Sequence, residues 1–201
     1  MDKIRSFIAV PIPAEVRRQI AEIEKQLMAS GADVKWVPEG NFHITLKFLS
    51  YVEPERLDAV SKAVSSALEG MKSFEGALYG VGAFPRLSRP SVIWVGMTQG
   101  ADELKALAER AETALGRIGF GREERPFSAH ITVGRVRSPK NLDGLRKKIE
   151  QLREAEVGSF SIERVTVMRS DLYPTGPVYS EIANYKLSRL RTVPLPDGIP
   201  P

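Results

Sequence analysis

Two stretches decide how this chain is read: Phe42-His-Ile-Thr-Leu-Lys-Phe-Leu49 and Ala129-His-Ile-Thr-Val-Gly-Arg-Val136. His43 and His130 are the only histidines among 201 residues, and each opens the same phrase of His, Ile, Thr and an aliphatic residue. From typical composition, about 2% of histidines are followed by aliphatic, Thr, aliphatic, so two by accident is on the order of 10⁻³. The phrase reads as a strand. In a strand, side chains alternate between faces, so His43 and Thr45 point one way, Ile44 and Leu46 the other. His130 and Thr132 stand likewise against Ile131 and Val133.

Working outward, the landmarks recur. Phe7 in a strand and Val92 in another are 85 residues apart, His43 and His130 are 87 apart, and Phe74 and Phe160 are 86 apart. Each phrase is followed by a proline (Pro54, Pro139) and then by Leu-Asp inside a helical pattern (Leu57-Asp58, Leu142-Asp143). A constant offset predicts two copies of one β-α-β-β-α-β-like unit. The fold class expected is α+β: two pseudo-twofold lobes, each an antiparallel sheet with helices packed outside, facing each other across a central cleft.

Helices are predicted where Val16, Ile20, Ile23 and Leu27, then Leu57, Val60, Val64 and Leu68, recur at three- and four-residue steps. Asp102 to Ile118 and Leu142 to Leu152 read the same way. Strands are expected at Phe7–Val10, Phe42–Leu49, Phe74–Val81, Ser91–Met97, Phe127–Val136, Val157–Met168 and Val178–Leu187, with Phe84–Pro90 as a loop. Residues 1–190 read as one bilobal domain, and residues 191–201 as a proline-rich tail.

Composition narrows the chemistry. With no cysteine there is no disulfide, thiolate nucleophile or thiolate zinc site. The opening MDKIRSFIAVPIP has too short an apolar run for a leader or a span, so a cytoplasmic location without membrane partners is the default. A pI near 9.4 permits a polyanionic partner without requiring one.

On the free face of each strand an imidazole and a hydroxyl sit about 7 Å apart. Two such faces meeting across a cleft suit a phosphoryl centre. Threonine hydroxyls donate to nonbridging oxygens, and one histidine activates water while the other protonates the departing oxygen. This chemistry needs no metal and no cofactor. Rival readings lack parts: a histidine triad needs a third histidine, neither phrase has a carboxylate within three residues for a two-histidine zinc site, Gly80-Val-Gly82 is too short for a dinucleotide loop, and no Gly-x-Ser-x-Gly elbow is present.

The paired phrases, with their flanks WVPEGNFHITLKFLS and RPFSAHITVGRV and the intervening VGAFPRLSRPSVIWVGM, resemble the signatures of the 2H phosphoesterase superfamily, in its RNA 2′,3′-cyclic phosphodiesterase (2′-5′ RNA ligase) branch. The resemblance runs from about Lys3 to Arg189. Ser50 stands where glycine is common, Ala129 where proline is common, and the tail is additional. The resemblance implies metal-independent hydrolysis of 2′,3′-cyclic phosphate ends of RNA to 2′-phosphates. Its alternatives are the reverse, 2′-5′ joining of RNA such as tRNA halves, and non-catalytic capture of an RNA end. It also implies His43 as proton donor to the leaving 3′ oxygen, His130 as base, and Thr45 and Thr132 as phosphate ligands. The near-symmetry of the phrases leaves the acid and base assignment to the resemblance. A monomer is expected.

Beyond the four motif residues, Arg135 is the next candidate, as a phosphate or base contact. Lys47 faces the cleft if its strand stays regular. Trp36, Phe42 and Phe84 suit stacking on bases or core packing, and Arg86 and Arg89 suit an RNA backbone or a solvated hairpin tip.

Overall fold

The computed structural model describes residues 2–188; the tail assigned to 191–201 lies outside them. In chain order the elements are β1 (Ile4–Pro11), α1 (Ala14–Met28), β2 (Val34–Trp36), β3 (His43–Val52), α2 (Leu57–Leu68), β4 (Phe74–Arg86), β5 (Arg89–Met97), α3 (Ala101–Gly116), β6 (Ile131–Val136), α4 (Leu142–Gln151), β7 (Glu156–Ile162), β8 (Arg164–Tyr173) and β9 (Gly176–Lys186). The helices follow their apolar stripes: Val16, Ile20, Ile23 and Leu27 of α1 are buried, as are Leu104, Leu107, Ala111 and Leu115 of α3. Asp102 and Glu103 in the first turn of α3 oppose the positive end of its dipole.

All strand pairs are antiparallel, in the order β7-β4-β5-β6-β3-β1-β8-β9, with β2 added beside β6. The array consists of two halves. One lobe holds β3, β1, β8 and β9; the other holds β6, β5, β4 and β7. The seam is one residue pair, Ile44 of β3 with Ile131 of β6, both fully buried. Helices α2 and α3 pack on the first lobe against β9 and β3, and α1 and α4 on the second against β7 and β4. The expected two-lobed α+β architecture is the one observed.

The repeats and the lobes do not coincide. Strand β4 of the first repeat leaves its own lobe to pair with β5, and β8 of the second repeat pairs with β1. Helices α1 and α3 cross over in the same way. The registers confirm the equivalence: Phe7 pairs with Phe48 and Met168 in one lobe, and Val92 with Arg135 and Phe84 in the other.

Three details differ from the sequence expectation. The strand expected over Phe127–Val136 begins only at Ile131. The run Val157–Met168 is broken at Glu163, because β7 pairs with β4 in one lobe while β8 joins β1 and β9 in the other. Phe84–Pro90 is no loop: β4 and β5 form a long hairpin that continues to the Arg86–Arg89 pair, leaving Leu87-Ser88 as the turn.

Candidate active site

Each His-x-Thr phrase sits at the start of an inner strand, where the two lobes meet. The antiparallel register through Ile44 and Ile131 sets His43 opposite Thr132 and Thr45 opposite His130. Neighbouring side chains in such a register have Cβ atoms about 5 Å apart, so the four groups share one small volume. All four are half-buried.

Both imidazoles are fixed by the same device. His43 Nδ1–H donates to the Asn41 carbonyl at 2.7 Å, and His130 Nδ1–H donates to the Ser128 carbonyl at 2.7 Å. Spending Nδ1 on the backbone two residues upstream leaves Nε2 of each ring free for chemistry. Burial lowers both histidine pKa values below 6.5; for His43 the nearby His130 lowers it further, and for His130 the charge of Arg135 does so. The Asn41 and Ser128 carbonyls act the other way.

The surroundings of the two rings differ. His43 is enclosed by Phe7, with centroids 4.8 Å apart, and by Tyr179 of β9, edge-on at 5.3 Å. His130 meets the edge of Phe84 at 5.0 Å and has Arg135 close enough to act on it electrostatically. Asn41 links the His43 side to the β8–β9 hairpin: its amide donates to the Pro177 carbonyl at 2.9 Å.

A bulge terminates each phrase. Ala9 pairs with Thr45 and Ile8 with Lys47, so Leu46 is an extra residue in β3. Trp94 pairs with Thr132 and Ile93 with Gly134, so Val133 is the extra residue in β6. An extra residue exchanges the faces of everything downstream. Arg135, which a regular strand would turn away from Thr132, therefore faces the cleft, as does its equivalent Phe48. Lys47 goes the other way. It is 2% exposed and ion-paired to Glu112 of α3, and its Nζ also donates to the Gly121 carbonyl at 2.7 Å. The placement of Lys47 in the cleft is thus corrected: the strand does not stay regular. In the other lobe the equivalent position is Gly134, where an added Cβ would lie 2.7 Å from Val34 and 3.0 Å from Trp36. That glycine lets β2 lie beside β6.

Of the other candidates, Phe42 is core, Trp36 packs over Gly134, and Arg86 and Arg89 are exposed at the hairpin turn. Phe84 lies on the cleft face. Sequence reading missed Asn41, Phe48 and Tyr179. The fifth place after each histidine, occupied by Phe48 and Arg135, is a signal for Phe48; no local signal marks Tyr179, whose approach to His43 depends on the curl of the sheet. Among the described residues no three His, Cys, Asp or Glu side chains cluster as a metal site, and no helix is long and apolar enough to cross a membrane.

The family model described as LigT like Phosphoesterase matches the chain twice, over residues 10–94 and 95–179. The protein named RNA 2′,3′-cyclic phosphodiesterase from Methanothermobacter thermautotrophicus is 34% identical over 185 residues, covering 92% of this chain and 100% of its own. The one so named from Thermotoga maritima is 35% identical over 176 residues, covering 88% of this chain and 91% of its own. Among solved structures, E. coli LigT in its apo form superposes with a TM-score of 0.75 at 27% identity, covering 94% of this chain and 99% of that one.

Proposed function

The chain belongs to the LigT-like phosphoesterase family, and from that premise we propose that it hydrolyses 2′,3′-cyclic phosphate ends of RNA to 2′-phosphomonoesters by two-histidine acid–base catalysis. The observation that carries this reading is the pair of imidazoles with Nδ1 fixed and Nε2 free, each opposite the other phrase's threonine.

In the step proposed, a water oxygen bonds to phosphorus as the bond from phosphorus to O3′ breaks. His130 Nε2 takes the water proton, and His43 Nε2–H gives its proton to O3′. A 3′-hydroxyl and a 2′-phosphate result, and exchange with solvent restores both rings. Thr45 and Thr132 donate to the nonbridging oxygens, and Arg135 offsets their charge. Each proton transfer is worth roughly 10²–10⁴ in rate.

The surroundings of His130 support its part in this division. The Arg135 charge disfavours protonated His130, as a base requires. His43, whose charged form burial and His130 also disfavour, takes the acid role from the family resemblance. Phe48 and Arg135, equivalent positions on opposite lobes, are placed to contact the terminal base. The substrate is then a free RNA end read by a monomer.

The test is incubation with a nucleoside 2′,3′-cyclic phosphate in EDTA, with identification of the monophosphate formed. A 2′-phosphate is expected, and a loss of at least ~10² in kcat for His43→Ala and for His130→Ala. Full activity in both variants would sink the mechanism; a 3′-phosphate would overturn the leaving group. Incubating cleaved RNA halves and searching for a 2′-5′ junction reads the reverse direction at the same site.

A further inference from the structure

Strand β3 contains a second bulge. Phe7 pairs with Phe48 and Ser6 with Ser50, so Leu49 is extra, and Ser50 adopts a positive φ of 58°. That conformation is uncommon for a residue with a side chain. Its effect is to turn Tyr51 onto the cleft face. Tyr51 pairs with Arg5, which lies two residues from Phe7 on the same face and donates to Ser170 Oγ at 2.6 Å. Arg5 is also close enough to Tyr179 to lower the pKa of its hydroxyl against the effect of burial.

One strand thus presents His43 and Thr45 on either side of the seam, and then Phe48 and Tyr51 progressively farther from it, all on one face. Phe48 is 51% exposed and Tyr51 61% exposed, unusual for large aromatic side chains on a sheet beside a site. Arg5, on the neighbouring strand and paired with the second of them, turns its guanidinium along the same face toward Ser170 of β8. Stacking aromatics interleaved with cations hold single-stranded nucleic acid without reading its sequence.

Resting on the hydrolase reading above, we infer that β3 continues the site as a track for single-stranded RNA. With the cyclic phosphate between the histidines, the nucleotide 5′ to the terminal one stacks on Tyr51, and Arg5 faces the phosphodiester joining them. The substrate class this selects is an unpaired RNA end of at least two nucleotides, since bases in a duplex cannot lie on a protein ring.

The experiment compares kcat/KM of the full chain on uridine 2′,3′-cyclic phosphate and on a uridine trinucleotide ending in a 2′,3′-cyclic phosphate. The trinucleotide is expected to be favoured by at least about tenfold. Tyr51→Ala should lower that ratio by roughly 5- to 100-fold, the worth of one stacked base. Tyr51→Trp should preserve it, and Tyr79→Ala, a tyrosine on the other lobe, should leave it unchanged. Equal use of both substrates by the unaltered chain, or an unchanged ratio in Tyr51→Ala, would overturn the track. If neither substrate is hydrolysed, the hydrolase reading fails separately. Fluorescence anisotropy with a labelled uridine trinucleotide carrying a 2′-phosphate then decides the track: weaker binding by Tyr51→Ala supports it, and equal binding refutes it.

Discussion

Ile44 and Ile131 form the one residue pair, among those described, that joins β3 to β6, and both side chains are fully buried. The two histidines and two threonines are held in register by this contact, with each histidine one residue before its isoleucine. Replacing either isoleucine by Ala is expected to cost on the order of 2–5 kcal/mol of stability. Activity should fall further than Ala substitution at Ile8, an equally buried side chain away from the seam. Urea unfolding with parallel turnover measurements separates the two effects.

The acid limb of the kcat/KM profile reports protonation of the base. Burial and Arg135 both hold His130 below its usual 6.5, so this limb should lie below pH 6.5. Arg135→Gln removes one of the two causes and should move the limb to higher pH, besides weakening phosphate binding. A limb that stays in place or moves down would contradict His130 as the base.

Lys47 and Glu112 should matter as a pair. Glu112 Oε2 also accepts from the Glu123 backbone N–H at 3.2 Å, and Lys47 donates to the Gly121 carbonyl, so together they fasten the segment leading to His130. Lys47→Met leaves a largely buried carboxylate without its cation, at a cost of roughly 3–5 kcal/mol. Lys47→Met combined with Glu112→Leu should be less harmful than Lys47→Met alone. Thermal melts of the three variants read the difference.

Glu24 on α1 gives a pH signature of opposite sign to the histidines. Burial raises its carboxyl pKa to about 7, the Val37 backbone amide opposing, and Oε1 has no hydrogen-bond partner. Between its ordinary 4.5 and about 7 the folded state holds the extra proton, so this group's contribution falls as pH rises through that window. The two lowered histidines do the reverse: the unfolded chain binds their protons more tightly, and their contribution is lost as pH falls below 6.5. Glu24→Gln should therefore gain stability over the parent at pH 8 and show little gain at pH 5. Urea midpoints at the two pH values test this; equal differences would refute it.

The apolar periodicity, the doubled phrase and the constant offset disclosed the helices, the two lobes and the four motif positions, because each is set by neighbours within a few residues. Lys47 was misplaced for the opposite reason. An extra residue in a strand is defined only by its partner strand, and nothing between His43 and Phe48 announces it. The same device put Arg135 in the cleft, where alternation alone would have excluded it. Tyr179 and Asn41 were invisible because their roles depend on a hairpin from the end of the chain reaching the residues before His43. The exchange of β4 and β8 was equally hidden, since a repeat offset records similarity and says nothing of which copy a strand joins.

That exchange makes the two repeats mutual dependents. A fragment ending near Arg86 would carry β1 and β3 without β8 between β1 and the solvent, and β4 without β5. Its missing neighbours can come only from another molecule, each copy lending its last strand to the other. Half of this chain, produced alone, is thus expected to assemble as an intertwined pair or to aggregate through its open edges, rather than to persist as a small folded monomer.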